Sequence, residues 1–529
     1  MVSFLEFRRI ALLSVVAFSL PGSVGAATPG EASEFLRASE ARFRDGEARQ
    51  VILHGLNLVD KSADWTDYAW VGEREYAAMR DWGFNCIRLG FIWASIEPRP
   101  GEYSEKAIAE LRKRVGWARK YGLHVVLDMH QDLYSMKYSD GAPEWATLTD
   151  GHPHLADGKV WSDAYVTSPA VQTAMDNFYA NREGPGGVGL QNRYAGAWRF
   201  IASHFADEPT VIGYDLMNEP FAGSLVPKGM ALHFTKLAEE LGKPGEQGVA
   251  EIMAQWATPE GRRNILLRTS DEKLYARVLD AAQPLFQEFE RKKLNPFFQK
   301  VSWAIREVDQ SHLIFLETNG AANMGVYSAI EPVSGRDGRR DPQQAYAPHG
   351  YDLVTDTPDV ATASNARVNL IFFRHQETSG RLGLPMLVGE WGAYYGDARI
   401  LPSAQHICRL FEQLLCGDTY WALEKEMATQ AVMQAICRPY PMAVAGSIKG
   451  YHSDPVVHTF ECSWVESGPA ENRFYLPAGY RPRQGAVSLQ PAGGRWWLES
   501  VGNGDACYLV VPAQPGASNR TITFAPQHP

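Results

Sequence analysis

From about residue 51 the chain repeats one alternation: a short apolar, β-rich run, a break, then a longer stretch with apolar residues at helical spacing. Eight runs read as strands: Val51–Asn57, Asn85–Gly90, Leu123–Met129, Val211–Asn218, His312–Thr318, Tyr346–His349, Met386–Glu390 and Asp418–Leu423. The stretches Glu105–Tyr121 and Tyr194–Phe205 read as helices between them. Strands alternating with crossover helices predict a parallel sheet, and eight such units predict an α/β fold of the (β/α)8 TIM-barrel kind. Past residue 436 the pattern changes. Thr459–Val465, Arg473–Leu476, Gly494–Ser500 and Ala506–Val511 are short, β-rich and separated by Gly, Pro and Asn, which predicts a small β-sandwich. The expected organisation is a leader over 1–26, a catalytic barrel over 27–435 and a C-terminal sandwich over 436–529.

Several predicted strands end in polar or ionisable residues. VIGYDLM runs into Asn218 and Glu219, LHVVLDM into His130, Gln131 and Asp132, and PMLVG into Glu390. Barrel enzymes build their sites at the C-terminal ends of the strands, so these side chains are expected to converge. Long insertions follow strand 3 (about 131–192) and strand 4 (about 220–311), and both leave from that face.

The chain has 529 residues, enough for a barrel of roughly 250 to 400 residues and a second module. A net charge of −10 offers no basic footprint for nucleic acid. Arg8 and Arg9 precede a short apolar run, Ile10 to Leu20, and Val24-Gly25-Ala26 supplies small residues for cleavage. Segment 1–26 therefore reads as a secretory signal, with an uncleaved signal anchor as the alternative, and the protein is expected to be secreted or periplasmic. The run is too short for an ordinary spanning helix, so no transmembrane anchor is expected in the mature chain. Cys408 with Cys416, or Cys437 with Cys462, are the pairings considered, and Cys86 is expected as a free core thiol.

Glycosidic cleavage without a metal needs two carboxyl groups, one to protonate the leaving oxygen and one to attack the anomeric carbon or activate water. Strands 4 and 7 face each other across an eight-stranded barrel, so Glu219 and Glu390 can meet over its mouth. Glu219 must hold a proton near neutral pH, and negative charge on Glu390 helps to keep it there.

These residues resemble glycoside hydrolase family 5 over roughly residues 50 to 425. Arg88 in CIRLG, His130 in DMHQD, Asn218 and Glu219 in MNEP, His349 and Tyr351 in PHGYD, Glu390 in VGEWG and Trp421 in TYWAL follow the family's order. The resemblance implies Glu219 as acid/base and Glu390 as nucleophile of a retaining hydrolase. It implies that Asn218 holds the sugar 2-OH, that Arg88 and Tyr351 aim Glu390, that His130 and His349 orient hydroxyls and carboxylates, and that Trp421 floors the cleavage subsite. Within the family, HGLNLVDKSADW, LDMHQDLYS, GAPEWA and RPYPMAVAG are most similar to endoglycoceramidases, which cut between glycan and ceramide. That subgroup implies Lys61 and Asp132 as sugar ligands and Trp161 as a further platform. It also implies a glycolipid substrate, no cofactor, no metal, no nucleic-acid partner and a monomer. The alternatives are a family 5 β-glucanase or β-mannanase, a hydrolase of simple glucosyl- or galactosyl-lipids, or an inactive binding module. A lipid aglycone needs an apolar groove, and Phe221, Leu225, Val226, Met230, Leu232 and Phe234 are the expected lining. His152 and His154 show metal-like spacing without a third ligand.

Overall fold

The computed structural model describes residues 35–156, 160–483, 485–502, 504–514, 516 and 519–524; the leader expected over 1–26 lies outside the described residues. Eight parallel strands form one sheet: His54–Val59, Cys86–Ile92, His124–His130, Val211–Asp215, Leu313–Leu316, Gln344–Tyr346, Leu387–Gly392 and Gly417–Trp421. They are numbered here as barrel strands 1 to 8. Neighbours in the sheet run in the order 7-8-1-2-3-4-5-6, and the bridges Tyr346–Met386 and His349–Glu390 join strand 6 to strand 7. The barrel is thereby closed, and no strand edge is left open to aggregation.

Helix Glu105–Lys120 shows how the crossovers form. Ser104 caps its first turn by accepting from the Ala107 N–H, and Ala107, Ile108, Leu111, Val115 and Ala118 make the stripe buried against the sheet. Inside the barrel the two ends differ. At the lower end Leu53, Val126, Ile212, Phe315 and Leu387 form an apolar plug. Phe43 reaches in from outside the barrel and stacks on Phe315 at 6.2 Å.

Phe43 belongs to a part of the chain assigned to the barrel module by sequence. Residues 37–39, 42–44 and 50–51 instead join a seven-stranded antiparallel sheet with Tyr440–Val444, Asn472–Leu476, Cys507–Val511 and Trp497–Ser500. The strand expected over Val51–Asn57 is accordingly cut in two. Val51 pairs with Ala443 of the C-terminal sheet, and the barrel strand begins at His54. A second sheet of Gly446–Asp454, Thr459–Glu466, Asn519–Phe524 and Val487–Gln490 completes the sandwich. Trp464, Phe460, Phe474 and Leu509 fill the space between the two sheets.

The RPYPMAVAG junction has a structural job. Arg438 pairs with Asp418 at 2.9 Å, Asp418 pairs with His54 at 2.9 Å, and Tyr440–Val444 enters the seven-stranded sheet. The six cysteines are all unpaired thiols, so neither pairing considered from sequence is present, and Cys86 is buried as expected. Among the described residues, no helix is long and apolar enough to cross a membrane.

The insertion after strand 4 is helical: Val226–Glu240, Gly245–Trp256, Pro259–Arg268, Glu272–Asp280 and Gln283–Phe289, leading through a π-helical turn at Glu290–Leu294 into Asn295–Arg306. It carries a core of its own in which Leu237, Ile252, Ile265 and Val278 pack with Phe234. That divides the expected lipid lining. Phe234 belongs to the insertion's core, Val226 is buried in the main core, and Phe221 and Leu225 pack against that core. Leu232 is exposed.

Candidate active site

The upper half of the barrel interior is a network of charges built on the fixed cation Arg88. Its guanidinium is fully buried on strand 2. Nε donates to Asp215 at 2.9 Å, one terminal nitrogen to Glu390 at 2.7 Å, and the other to Glu317 at 2.9 Å and Asn218 at 3.0 Å, with Asp128 at 3.0 Å. Asn57 of strand 1 accepts a further bond at 3.1 Å. Burial weakens a cation and the surrounding carboxylates restore it, holding Arg88 well above its ordinary pKa. Asp128, Asp215 and Glu317 were given no role by sequence. Each is an acidic residue within or at the end of an apolar strand run, which is the signal that marks it.

Glu390 on strand 7 is held from two sides. Arg88 takes Oε1, and the Tyr351 hydroxyl donates to Oε2 at 2.8 Å. His349 lies 3.5 Å from Oε2. Gly389 makes this packing possible, because a Cβ there would lie 2.8 Å from His349 Nε2. Fixed donors on both oxygens aim the carboxylate.

Glu219 follows strand 4 with a φ of 40°, a left-handed conformation strained for a residue with a side chain. The neighbours hold this conformation in place. Glu317 accepts the Glu219 N–H at 2.8 Å, and the Gln131 amide donates to the carbonyls of Asn218 and Glu219 at 2.8 and 2.9 Å. At the carboxylate, His349 Nδ1 lies 3.0 Å from Oε1 and Asn323 Nδ2 donates to Oε1 at 2.8 Å. Burial raises the Glu219 pKa; His349 opposes the rise, and the charges of Glu390 and Asp132 add to it. Desolvation is the larger cause of the rise, ahead of the Glu390 charge expected from the sequence. Glu219 keeps 14% of its side chain exposed against 6% for Glu390, as suits a group that meets a leaving group arriving from outside.

The two carboxylates come close. One oxygen of each, with a His349 nitrogen, lies within 4.8 Å of the others. This falls in the class of roughly 5 Å separations used for double displacement and short of the roughly 6.5 to 9.5 Å that leaves room for an attacking water.

Beside the pair is a second cluster. The Lys61 ammonium contacts Asp132, lies 3.5 Å from Asp140 and sits 5.1 Å above the Trp421 ring. His130 stacks on Trp421 at 5.4 Å, bonds Asp128 at 2.8 Å and lies 3.6 Å from Asp132. Burial alone would raise the Asp132 pKa, but Lys61 and His130 outweigh it and hold the acid at about 2. Asp140 goes the other way: burial and the Asp132 charge push it up to about 6 against the pull of Lys61. Burial would lower His130, yet Asp128 and the other carboxylates bring it to about 10.

Three acidic and histidine groups have metal-like spacing: His130 with Asp132 and Asp140, Asp215 with Glu317 and His349, and Glu219 with His349 and Glu390. Lys61 or Arg88 already pairs with each group, so a metal ion would meet a fixed positive charge at contact distance. His154 bonds Ser168 at 2.9 Å and stacks on Tyr138.

Trp161 lies apart from these contacts, at the rim. It is 46% exposed, and its indole N–H donates to Asp356 at 3.1 Å. The other sequence-selected residues, Lys61, Arg88, His130, Asp132, Asn218, Glu219, His349, Tyr351, Glu390 and Trp421, fall into the two adjoining clusters. The sequence places Gln131 at the end of strand 3 without giving it a role, and it gives no sign of the parts played by Asp128, Asp140, Asp215, Glu317 and Asn323.

The chain is similar to known proteins over most of its length. Endoglycoceramidase of Cyanea nozakii is 26% identical over 465 residues, spanning 80% of this chain and 79% of the relative. Endo-glycoceramidase II from Rhodococcus sp., solved as its ganglioside GM3 complex, superposes with a TM-score of 0.69 at 25% identity and covers 93% of this chain and 100% of its own. Its lactosyl-enzyme intermediate superposes at 0.68 with 26% identity, covering 94% and 100%. The family model for cellulase (glycosyl hydrolase family 5) matches residues 47–427, a span that holds both carboxylates, and the chain belongs to glycosyl hydrolase family 5.

Proposed function

We propose that this protein is a retaining endo-β-glycosidase that hydrolyses the bond between the glycan and the ceramide of glycosphingolipids. The observation that carries the reaction type is the Glu219–Glu390 approach, with oxygens within 4.8 Å. The lipid substrate is supported by relatives named endoglycoceramidase and by the ganglioside complex of the Rhodococcus enzyme.

In the first step the Glu219 O–H protonates the glycosidic oxygen as the C1–O bond breaks, while a Glu390 oxygen bonds to C1. Ceramide leaves as the alcohol. In the second step water attacks C1, its proton passes to the ionised Glu219, and the C1–Glu390 bond breaks. Both carboxyl groups return to their starting states. Glycosylation removes the Glu390 charge, which favours ionisation of Glu219 when a base is needed.

Lys61 and Asp132 bind the sugar at the scissile bond, Trp421 supplies its floor, and Asn218 bonds its 2-OH. Tyr351 and Arg88 aim the nucleophile, and His130 and His349 orient hydroxyls and carboxylates. Trp161 serves as a platform further out. Phe221, Leu225 and Leu232 mark the aglycone side, while Phe234 serves the insertion's own core instead. Cleavage outside the cytoplasm, directed by residues 1–26 and carried out by a monomer, completes the reading.

The test is incubation with fluorescent lactosylceramide in detergent. Release of intact lactose and ceramide in one step is expected. Activity on a soluble β-glucan or mannan, with the glycolipid untouched, would replace the substrate class.

A further inference from the structure

Glu219 has to be an acid in one half-reaction and a base in the next, so its hydrogen-bond partners must suit two protonation states. His349 is a fixed charge partner rather than a movable amide: Nδ1 lies 3.0 Å from Glu219 and 3.5 Å from Glu390, and Nε2 lies 3.2 Å from Glu317 as an ion pair without hydrogen-bond geometry. Asn323 is different. It is buried, with 5% exposure, and its Nδ2 donates to Glu219 Oε1 at 2.8 Å. Its Oδ1 is buried without any hydrogen-bond partner. An unpaired buried carbonyl is costly unless it is used in another state.

The backbone around Asn323 is fixed, so the amide itself is the movable part. Asn323 lies in the turn Ala322–Met324 of the loop after strand 5, and its carbonyl accepts from Tyr351 N–H at 3.1 Å. The loop is tied at both ends to Glu290, a fully buried residue in the π-helical turn of the insertion. Glu290 accepts from Asn319 Nδ2 at 2.7 Å, from the Asn319 N–H at 3.2 Å and from Ser328 Oγ at 2.9 Å, and it also takes the Ala329 N–H. An asparagine amide rotates about a broad, nearly two-fold torsion, so exchanging Nδ2 for Oδ1 leaves the loop in place.

We infer that Asn323 is a positioning residue whose amide follows the proton of Glu219, donating Nδ2–H to the carboxylate and turning Oδ1 to accept from the carboxylic acid. The inference rests on Glu219 being the acid/base. The other groups facing Glu219 are His349, Glu390, Glu317, Asp132, Tyr351 and Tyr165. Among the described residues, His349 and Asn323 are the ones that bond its carboxylate.

The experiment is the pH dependence of kcat/KM on an alkyl β-lactoside, whose poor leaving group needs the Glu219 proton, for the full-length protein and its N323D and N323L variants. Aspartate keeps the shape and removes the donor, so the protonated form of Glu219 is favoured. The basic limb of N323D is expected to move up by about one unit or more. A pre-steady-state burst should appear, because the step that needs ionised Glu219 has slowed. N323L should move the limb in the same direction by less, and it carries the test if N323D does not fold. A basic limb unmoved in the folded variants, or a loss of activity with an unchanged pH profile, would overturn the role. A wild type inactive on the lactoside, or an active E390Q, would overturn the underlying reading as well. That failure is distinguishable because it appears before any Asn323 variant is compared.

Discussion

The side chain of Glu317 accepts the backbone N–H of Glu219 at 2.8 Å, so one buried acid at the end of strand 5 holds the acid after the neighbouring strand 4 in a left-handed backbone conformation. The same carboxylate takes Arg88 at 2.9 Å and His349 at 3.2 Å. Glu317→Ala therefore removes a backbone anchor and leaves two buried cations short of a partner. The expected result is a kcat loss of about 100-fold and a destabilisation of about 3 to 5 kcal/mol, read by kinetics and thermal unfolding. A variant with native stability and near-native kcat would show that the Glu219 backbone holds itself.

Glu219→Ala should spare substrates whose leaving group needs no proton far more than natural glycolipids. The check is the ratio of kcat/KM on an aryl glycoside to that on lactosylceramide. Equal losses on the two substrates would contradict the acid assignment.

Activity should fall at high pH as Glu219 loses its proton, with a midpoint above the ordinary glutamate value because burial raises its pKa. The stability around strand 3 has its own window. Asp132, held at about 2, contributes stability that is present above its ordinary 3.8 and lost as pH falls through 2. His130, held at about 10, contributes stability that is full below its ordinary 6.5 and lost as pH rises through 10. Melting temperature against pH should thus be highest between about 4 and 6.5 if these two groups dominate, and His130→Gln should flatten the alkaline side.

Leu232→Asp places a charge on an exposed apolar residue of the strand-4 insertion without touching a core. It should lower activity on ceramide-linked substrates by about tenfold and leave aryl glycosides and the melting temperature unchanged. Phe234→Asp should instead unfold the insertion, because Phe234 packs in its core. Parallel losses on both substrate types for Leu232→Asp would remove that surface from the aglycone path.

Much of the fold and most of the site were legible in the sequence, for one physical reason: a barrel strand is an apolar run that stops where the site begins. Asn218-Glu219, His130 and Glu390 advertise themselves by breaking such runs. Glu317 breaks one too, in FLETNG, but its partners lie on strands 2, 4 and 6, and no local pattern shows them. Asn323 acts through a side-chain amide aimed by a loop, which periodicity does not reach; Gln131 is placed by its strand end, but its bonds to the Asn218 and Glu219 carbonyls have no local pattern. Gln50 and Val51 pair with Val444 and Ala443 across some 400 residues of chain and bring residues 37–44 with them, and a pairing that distant has no local signature. The lipid lining was read as one stretch, and helix packing then divided it between two cores and the surface.

The most direct test of the account is to trap the intermediate with an activated 2-deoxy-2-fluoro β-lactoside and map the modified peptide by mass spectrometry. A lactosyl adduct on Glu390, formed in the wild type and absent in Glu390→Gln, is the predicted result. No adduct, or an adduct on another carboxylate such as Glu317, would contradict the assignment of Glu390 as the nucleophile of a retaining enzyme.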